Sequence, residues 1–494
     1  MIWNERTNLS MLTDYYELTM SQSYMDQGVG DVIAYFDLYF RHVPESGGYA
    51  IMAGVEQMVD YLRELKFEKE NIDFLRSTGD FSEEFLNYLA NFEFACDVWA
   101  IPEGTPVFPN EPIVKVRGPL IQAQMIETML LLTVNHQSLI ATKSSRICRA
   151  AAGRPVMEFG ARRAQGYDAS VLGARAAYIG GAAGTSCTIC GEQFDIPLSG
   201  TMAHSFVLMH DSEYDAFKSY AETYPDNTVL LVDTYNTLKS GVPNAIRINK
   251  EILEPQGKRV KGIRIDSGDL SYLSIEARRM LDEAGMEDCI IIASNALDEY
   301  LIETLLMQGA KIDSFGVGER LITSRAEPVF GGVYKLSGVE QDGKVIPKMK
   351  VSDNFGKVTT PCSKEVWRFF DKDTHKALAD LVTIAGEDLS QTETYEIFHP
   401  LHTWKRKMLS NYEVKQLLEP VFVGGKCVFE RRDIEAIKQF CKEQQGTLWD
   451  SVRRFENPQI YYVDLSYDLW ATKQQLLKEH GMGVQEMNFP IYGR

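Results

Sequence analysis

Residues 260–318 read VKGIRIDSGDLSYLSIEARRMLDEAGMEDCIIIASNALDEYLIETLLMQGAKIDSFGVG. Three short apolar runs within this stretch, VKGIRIDSGD (260–269), CIIIASN (289–295) and IDSFGVG (312–318), each stop at Gly, Ser, Asp or Asn. They are too short for ordinary helices and rich in Ile and Val, which predicts buried strands. Between them, LSYLSIEARRMLDEAG (270–285) and DEYLIETLLMQGA (298–310) space apolar residues three and four apart, as a helix requires. The same rhythm extends upstream through VMEFG (156–160), DIPLSG (195–200) and TVLLVDT (228–234). Strand ends at Asp233, Asp266, Asn295 and Gly316 fall 33, 29 and 21 residues apart, the length of a strand–helix unit. Such units in succession predict an α/β chain with a parallel sheet, closed into a barrel or partial barrel.

The flanks differ. SMLTDYYELTMSQSYMDQ (10–27) predicts a helix with Ser10 or Thr13 as N-cap. Residues 95–120 alternate apolar residues with Pro and Gly turns, which predicts short antiparallel strands. After about 330 the chain returns to strands and turns (GGVYKLSG, EPVFVGGKCVFE), then to a helical pattern near 432–455. The simplest arrangement is a β/α barrel over 141–330, with a mixed α+β domain built from 1–140 and 331–494.

The chain has 494 residues and a formal charge of −18. That balance disfavours a duplex-binding protein or a polybasic membrane binder. It hides a basic segment: residues 141–180 hold Lys143, Arg146, Arg149, Arg154, Arg162, Arg163 and Arg175 against Glu158 and Asp168. No stretch of about 18 apolar residues is present to span a bilayer, the N-terminus lacks the apolar run of a signal peptide, and eight cysteines are too sparse for a disulfide scaffold. A reduced, cytoplasmic chain with no nucleic-acid or membrane partner is expected.

In a β/α barrel the reactive groups gather where strands run into helices. Those positions carry Arg162 and Arg163, His204, Asp233, Arg264, Asp266 and Asp269, Ser294 and Asn295, and Gly316 and Gly318. Arginines, carboxylates and glycines with open N–H groups suit a phosphorylated substrate with a divalent cation. A single Asp or Asn at such a turn commonly does no more than cap the next helix. A whole series that includes His and Arg is harder to explain by capping. His204 follows a run of small and hydroxyl residues, and Asp233 is positioned by barrel logic to bond one ring nitrogen, leaving the other as base or nucleophile. Cys187-Thr188-Ile189-Cys190 has no second CxxC or His pair to complete a metal site, so a structural role is expected. The chain contains no GxxxxGK[ST] loop, GxGxxG, GxSxG or HExxH motif.

Five segments in order, Thr13–Met20 (TDYYELTM), Glu158–Gly166 (EFGARRAQG), Gly200–Phe206 (GTMAHSF), Arg264–Leu270 (RIDSGDL) and Phe315–Gly318 (FGVG), resemble the nicotinate phosphoribosyltransferase family. The resemblance implies the type II phosphoribosyltransferase fold, an irregular β/α barrel with a mixed domain from both termini. It implies formation of nicotinate mononucleotide and pyrophosphate from nicotinate and phosphoribosyl pyrophosphate, coupled to ATP hydrolysis through phosphorylation of His204, in the salvage route of NAD biosynthesis. Mg²⁺ is the implied cofactor, ATP a co-substrate, and a homodimer with interfacial sites the implied assembly.

Carried over by motif, Tyr15 and Phe159 sandwich the pyridine ring, with Ser186 at its carboxylate and Arg162 at that carboxylate or the nearby phosphates. Arg163, Thr201, Ser294, Asn295, Gly316 and Gly318 hold the phosphoribosyl and phosphate groups. His204, Asp233, Arg264 and Asp266 form the catalytic set, and Asp266 with Asp269 meets Mg²⁺. A nicotinamide-using relative is expected to carry a carboxylate where this chain has Ser186, so the acid substrate is favoured over the amide.

Overall fold

The computed structural model describes residues 8–352, 354–389 and 393–480. The chain divides into two compact units, Leu139–Pro328 and the two stretches that flank it.

The central unit contains six strands, Val156–Glu158, Gly184–Thr185, Val229–Leu231, Gly262–Ile265, Ile290–Ser294 and Ser314–Val317. Every ladder between them is parallel. In space they run second, first, sixth, fifth, fourth, third. The last strand therefore pairs with the first, Gly316 opposite Met157 and Val317 opposite Glu158. The order is cyclic, as in a barrel, and among the described residues it is interrupted only between the second and third strands. This is the irregular β/α barrel expected.

The interruption has a local cause. DIPLSG (195–200) was expected to be a strand, but it contributes only a bridge between Leu198 and Thr185. Asp195 sits at φ 56°, and Pro197 offers a carbonyl to Thr185 N at 3.0 Å but has no N–H of its own. The second strand is instead the two-residue Gly184–Thr185, too short to leave a periodic signal.

Helices cover the strands for reasons visible in their spacing. Leu270–Glu283 buries Leu270, Ser274, Ala277 and Leu281, one stripe of a 3.6-residue period. Asp269 caps its start, accepting from Tyr272 N at 3.1 Å, and Asp298 caps Glu299–Met307 in the same way through Leu301 N at 2.9 Å. Glu299, fully buried, is met by Lys143 at 2.9 Å and Arg146 at 2.6 Å. Those two cations hold its carboxyl below the usual range against burial, which pushes the other way. Arg154 donates to the Ile312 carbonyl at 2.8 Å, and Arg175 is buried against Phe194. Much of the basic segment therefore serves packing.

In the other unit, Ile33–Phe40 lies inside a seven-stranded sheet, antiparallel to both Gly332–Gln341 and Val114–Pro119. Phe36 stacks on Tyr334 at 4.8 Å between ring centres. The short antiparallel strands expected near 95–120 are Asp97–Ala100, Pro106–Val107 and Val114–Pro119. A second, four-stranded sheet contains Lys364–Asp371 and Ala377–Ile384, and across it Arg368 and Asp380 form a pair with no solvent exposure. The N-terminal helix is Tyr15–Asp26, with Asp14 at the N-cap and no side-chain capping bond. The two residues expected as caps do other work: Ser10 accepts from Lys66 N at 2.9 Å, and the Thr13 hydroxyl donates to Glu17.

Candidate active site

The carboxyl ends of five of the six barrel strands converge on one cleft of about 540 Å³. Its lining includes Phe159, Arg162 and Arg163 after the first strand, Ser186 after the second and Arg264 and Asp266 at the fourth. Ser294 and Asn295 at the fifth strand and Gly316 and Gly318 at the sixth complete that set, with Gly200–Ala203 from the interrupted side. Eleven of the positions expected from sequence, Thr201 among them, thus share one site.

Its floor is built around Glu158, which is fully buried. The carboxylate accepts from the Thr185 hydroxyl at 2.6 Å and from Gly160 N, and the Glu158 carbonyl accepts from Ser186 N at 2.9 Å. Burial raises this carboxyl above the ordinary range, although both hydrogen bonds oppose the shift. One residue so ties the start of the Phe159–Arg163 turn to the Ser186 segment. Phe159 N donates to the Val317 carbonyl at 2.7 Å, and its ring lies over Gly316. A Cβ on Gly316 would come within 2.5 Å of Phe159 Cδ2, so the ring occupies this position because residue 316 has no side chain. Gly316 therefore seats the aromatic ring as well as lining the cleft.

Arg264 projects from the fourth strand and donates to the Thr201 hydroxyl at 2.7 Å. Burial lowers its pKa, opposed by Asp266 and Asp233 and reinforced by Arg162. Its Nε, like that of Arg320, is buried without a hydrogen-bond partner. Two unpaired guanidinium N–H groups beside a cleft are costly unless an acceptor arrives there. The Asp266 carboxylate accepts from the Ser294 hydroxyl through Oδ1, and its Oδ2 stands 3.9 Å from His204 Nε2. Just beyond, Asn295 and Ala296 both take positive φ, 95° and 48°, a costly turn at the end of the fifth strand.

The remaining positions fall elsewhere. His204 opens a short helix, and its Nδ1 lies 3.1 Å from the Thr234 hydroxyl, so Thr234 fills the place expected for Asp233. Asp233 instead accepts from Asp266 N at 2.9 Å and Ser267 Oγ at 2.6 Å, fixing the Asp266 loop. Asp269 is occupied as the helix cap. Tyr15 belongs to the other unit, where its hydroxyl donates to Asp80 and its ring meets Phe81 edge-on at 5.7 Å. Cys187 and Cys190 are buried free thiols beside Ser186.

Sequence reading missed Ala296, Glu319, Arg320 and Arg325, which also line the cleft. Arg320 is ion-paired with Asp298, and Arg325 with Glu319 at 3.2 Å. The available signal was the place of Ala296 just after IIIASN and of the other three soon after FGVG, both at ends of barrel strands.

For a divalent cation, the cleft offers the Asp266 carboxylate. Among the described residues there is no group of three or more His, Cys, Asp or Glu placed to hold a metal by themselves. One carboxylate completed by substrate phosphates and water is a common Mg²⁺ environment, so Asp266 fits such an ion.

Comparison with known proteins agrees with the geometry. Residues 155–383 match the nicotinate phosphoribosyltransferase (NAPRTase) family, 11–135 its N-terminal domain and 363–473 its C-terminal domain. A nicotinate phosphoribosyltransferase of Bacillus subtilis is 43% identical over 97% of both chains, and one of Dictyostelium discoideum is 34% identical over 94% of this chain and 88% of that one. The crystal structure of human nicotinic acid phosphoribosyltransferase superposes with a TM-score of 0.84 at 28% identity, covering 94% of this chain and 99% of that one. With its barrel, its arginine-lined cleft and these full-length likenesses, the chain belongs to the nicotinate phosphoribosyltransferase family.

Proposed function

We propose that the cleft joins nicotinate to the anomeric carbon of phosphoribosyl pyrophosphate and releases pyrophosphate, in the salvage route of NAD biosynthesis. The observation that carries this reading is the convergence of Arg162, Arg163, Arg264, Arg320 and Arg325 with Asp266 on one cleft, two of those guanidinium groups holding an unpartnered Nε. Displacement at an anomeric carbon builds positive charge on the ribose ring while the leaving group gains negative charge, so the work is positioning and electrostatic stabilisation. The pyridine ring stacks on Phe159, and Arg162 with the exposed Ser186 hydroxyl meets its carboxylate. Arg163, Thr201, Ser294, Asn295 and the backbone at Gly316 and Gly318 receive the phosphoribosyl group. Arg264 neutralises the leaving pyrophosphate, and Asp266 is the residue that would hold Mg²⁺, which supplies further charge neutralisation when bound.

ATP enters through His204. With Nδ1–H donating to Thr234, the Nε2 lone pair is free to take the γ-phosphoryl group of ATP, releasing ADP, and water later removes it as phosphate. The phosphorylated ring would add negative charge next to Asp266 and so change the site's hold on pyrophosphate. The same reading has two copies associate in the cytoplasm, Tyr15 of the partner subunit completing the nicotinate site. The 47% exposure of Tyr15 supports that placement.

Nicotinate is favoured over its amide because the acidic residues lining the cleft are Asp266, engaged with Ser294, and Glu319, paired with Arg325. The test is pyrophosphate release from phosphoribosyl pyrophosphate with nicotinate or nicotinamide, with and without ATP. Turnover with nicotinamide alone overturns the substrate assignment. Labelling of His204→Ala by γ-³²P-ATP overturns the phosphohistidine.

A further inference from the structure

The terminal unit holds a second cavity, of about 280 Å³, that the reaction does not use. Its polar lining is unbalanced. Lys473, half-buried on the helix Tyr467–Glu479, donates to the Thr360 hydroxyl at 3.0 Å and has no carboxylate within ion-pair distance among the described residues. Nearby Lys364 is buried and saturated by Asp37 Oδ2 at 2.7 Å and by the carbonyls of Thr360, Pro361 and Cys362. The other Asp37 oxygen, Oδ1, is buried with no hydrogen-bond partner. His399 accepts at Nδ1 from Leu401 N at 3.1 Å and His402 N at 3.0 Å, so its proton is on Nε2 and the ring can only donate there.

The cavity therefore presents an ammonium group lacking a counter-charge, an imidazole donor and one unmet acceptor. Solvent water would satisfy the donors but leave the charge uncompensated in a part-dry space. We propose that this cavity binds a small organic oxyanion bearing a hydroxyl group, the anion on Lys473 and His399 Nε2 and the hydroxyl donating to Asp37 Oδ1. At about 280 Å³ it suits a three-carbon acid or phosphate ester. Burial and the charge of Lys364 bring the Lys473 ammonium down to about 8. A bound anion would restore it.

The experiment follows Lys473 in the full chain. Trace acetylation by acetic anhydride reacts with neutral amines, and mass spectrometry reads the yield at each lysine. Glycerol 3-phosphate and glycerate are the probes, with glycerol and propionate lacking the anion or the hydroxyl. A rise of one in the Lys473 pKa makes its neutral form ~10-fold scarcer near pH 7, so a loss of acetylation of that order at Lys473, with other lysines unchanged, is expected. Stronger protection by the phosphate identifies an ester ligand, and stronger protection by glycerate a carboxylate. The same probes should raise the Tm of the wild-type chain more than that of Lys473→Met. Unchanged Lys473 acetylation, or equal protection by propionate, overturns the proposal.

Discussion

His204 Nε2 stands 3.9 Å from Asp266 Oδ2, while Thr234 engages the other ring nitrogen at 3.1 Å. Asp266 thus faces both the imidazole and, through Ser294, the fifth strand. Asp266→Asn keeps the shape but removes the charge. It should lower kcat with nicotinate by about 10²-fold or more, the usual scale for losing one electrostatic contributor. Steady-state pyrophosphate release, alongside an unchanged circular dichroism spectrum, checks this.

Gly316→Ala places a methyl group where the Phe159 ring now lies, 2.5 Å from Cδ2. The ring must move, at a cost of about 1–3 kcal/mol in stability. The KM for nicotinate should rise more than the KM for phosphoribosyl pyrophosphate. Phe159→Leu in the same background should recover stability without recovering the nicotinate KM.

Glu17 is buried, and burial pushes its carboxyl up to about 7 despite hydrogen bonds from Thr128 and Thr13. The folded chain then holds this proton more tightly than the unfolded chain does. Stability falls as pH rises from the unfolded carboxyl range to about 7, and the loss is complete above it. Glu17→Gln should flatten that fall. At pH 8 the variant should exceed wild type by on the order of 2 kcal/mol in urea unfolding, and at pH 4 the advantage should vanish.

Arg368 donates to both oxygens of Asp380, at 2.7 and 2.6 Å, with neither side chain exposed. Truncating one partner strands the other charge. Arg368→Met should cost about 3–5 kcal/mol, whereas replacing both residues by apolar ones should cost less. A double-mutant cycle by chemical unfolding separates the two.

The barrel was legible because its strands are buried on both faces and end in residues that tolerate tight turns, as RIDSGD, IIIASN and FGVG show. Eight cleft residues followed from that pattern, and Phe159, Thr201 and Ser186 from the family resemblance. Asp269 shows its weakness: an aspartate that caps a helix and one that faces a substrate look alike in sequence. Thr234 beside His204, where Asp233 was expected, shows that a one-residue difference along a loop is decided by packing. Arg320 escaped notice because its partner Asp298 lies on a different strand–helix unit. In the terminal unit, Ala34 pairs with Val339, a register that no local pattern encodes.

The ladder between Val156–Glu158 and Ser314–Val317 also bears on synthesis of the chain. A ribosome releases the first of these strands long before the second exists. Until then one side of Val156–Glu158 is an open edge, with Phe159 lacking the glycine that seats it. The emerging barrel is consequently most vulnerable to wrong strand pairing in that interval. A fragment ending before Ile312 would keep Arg162, Arg163 and Arg264 yet lack Gly316, against which the Phe159 ring is seated.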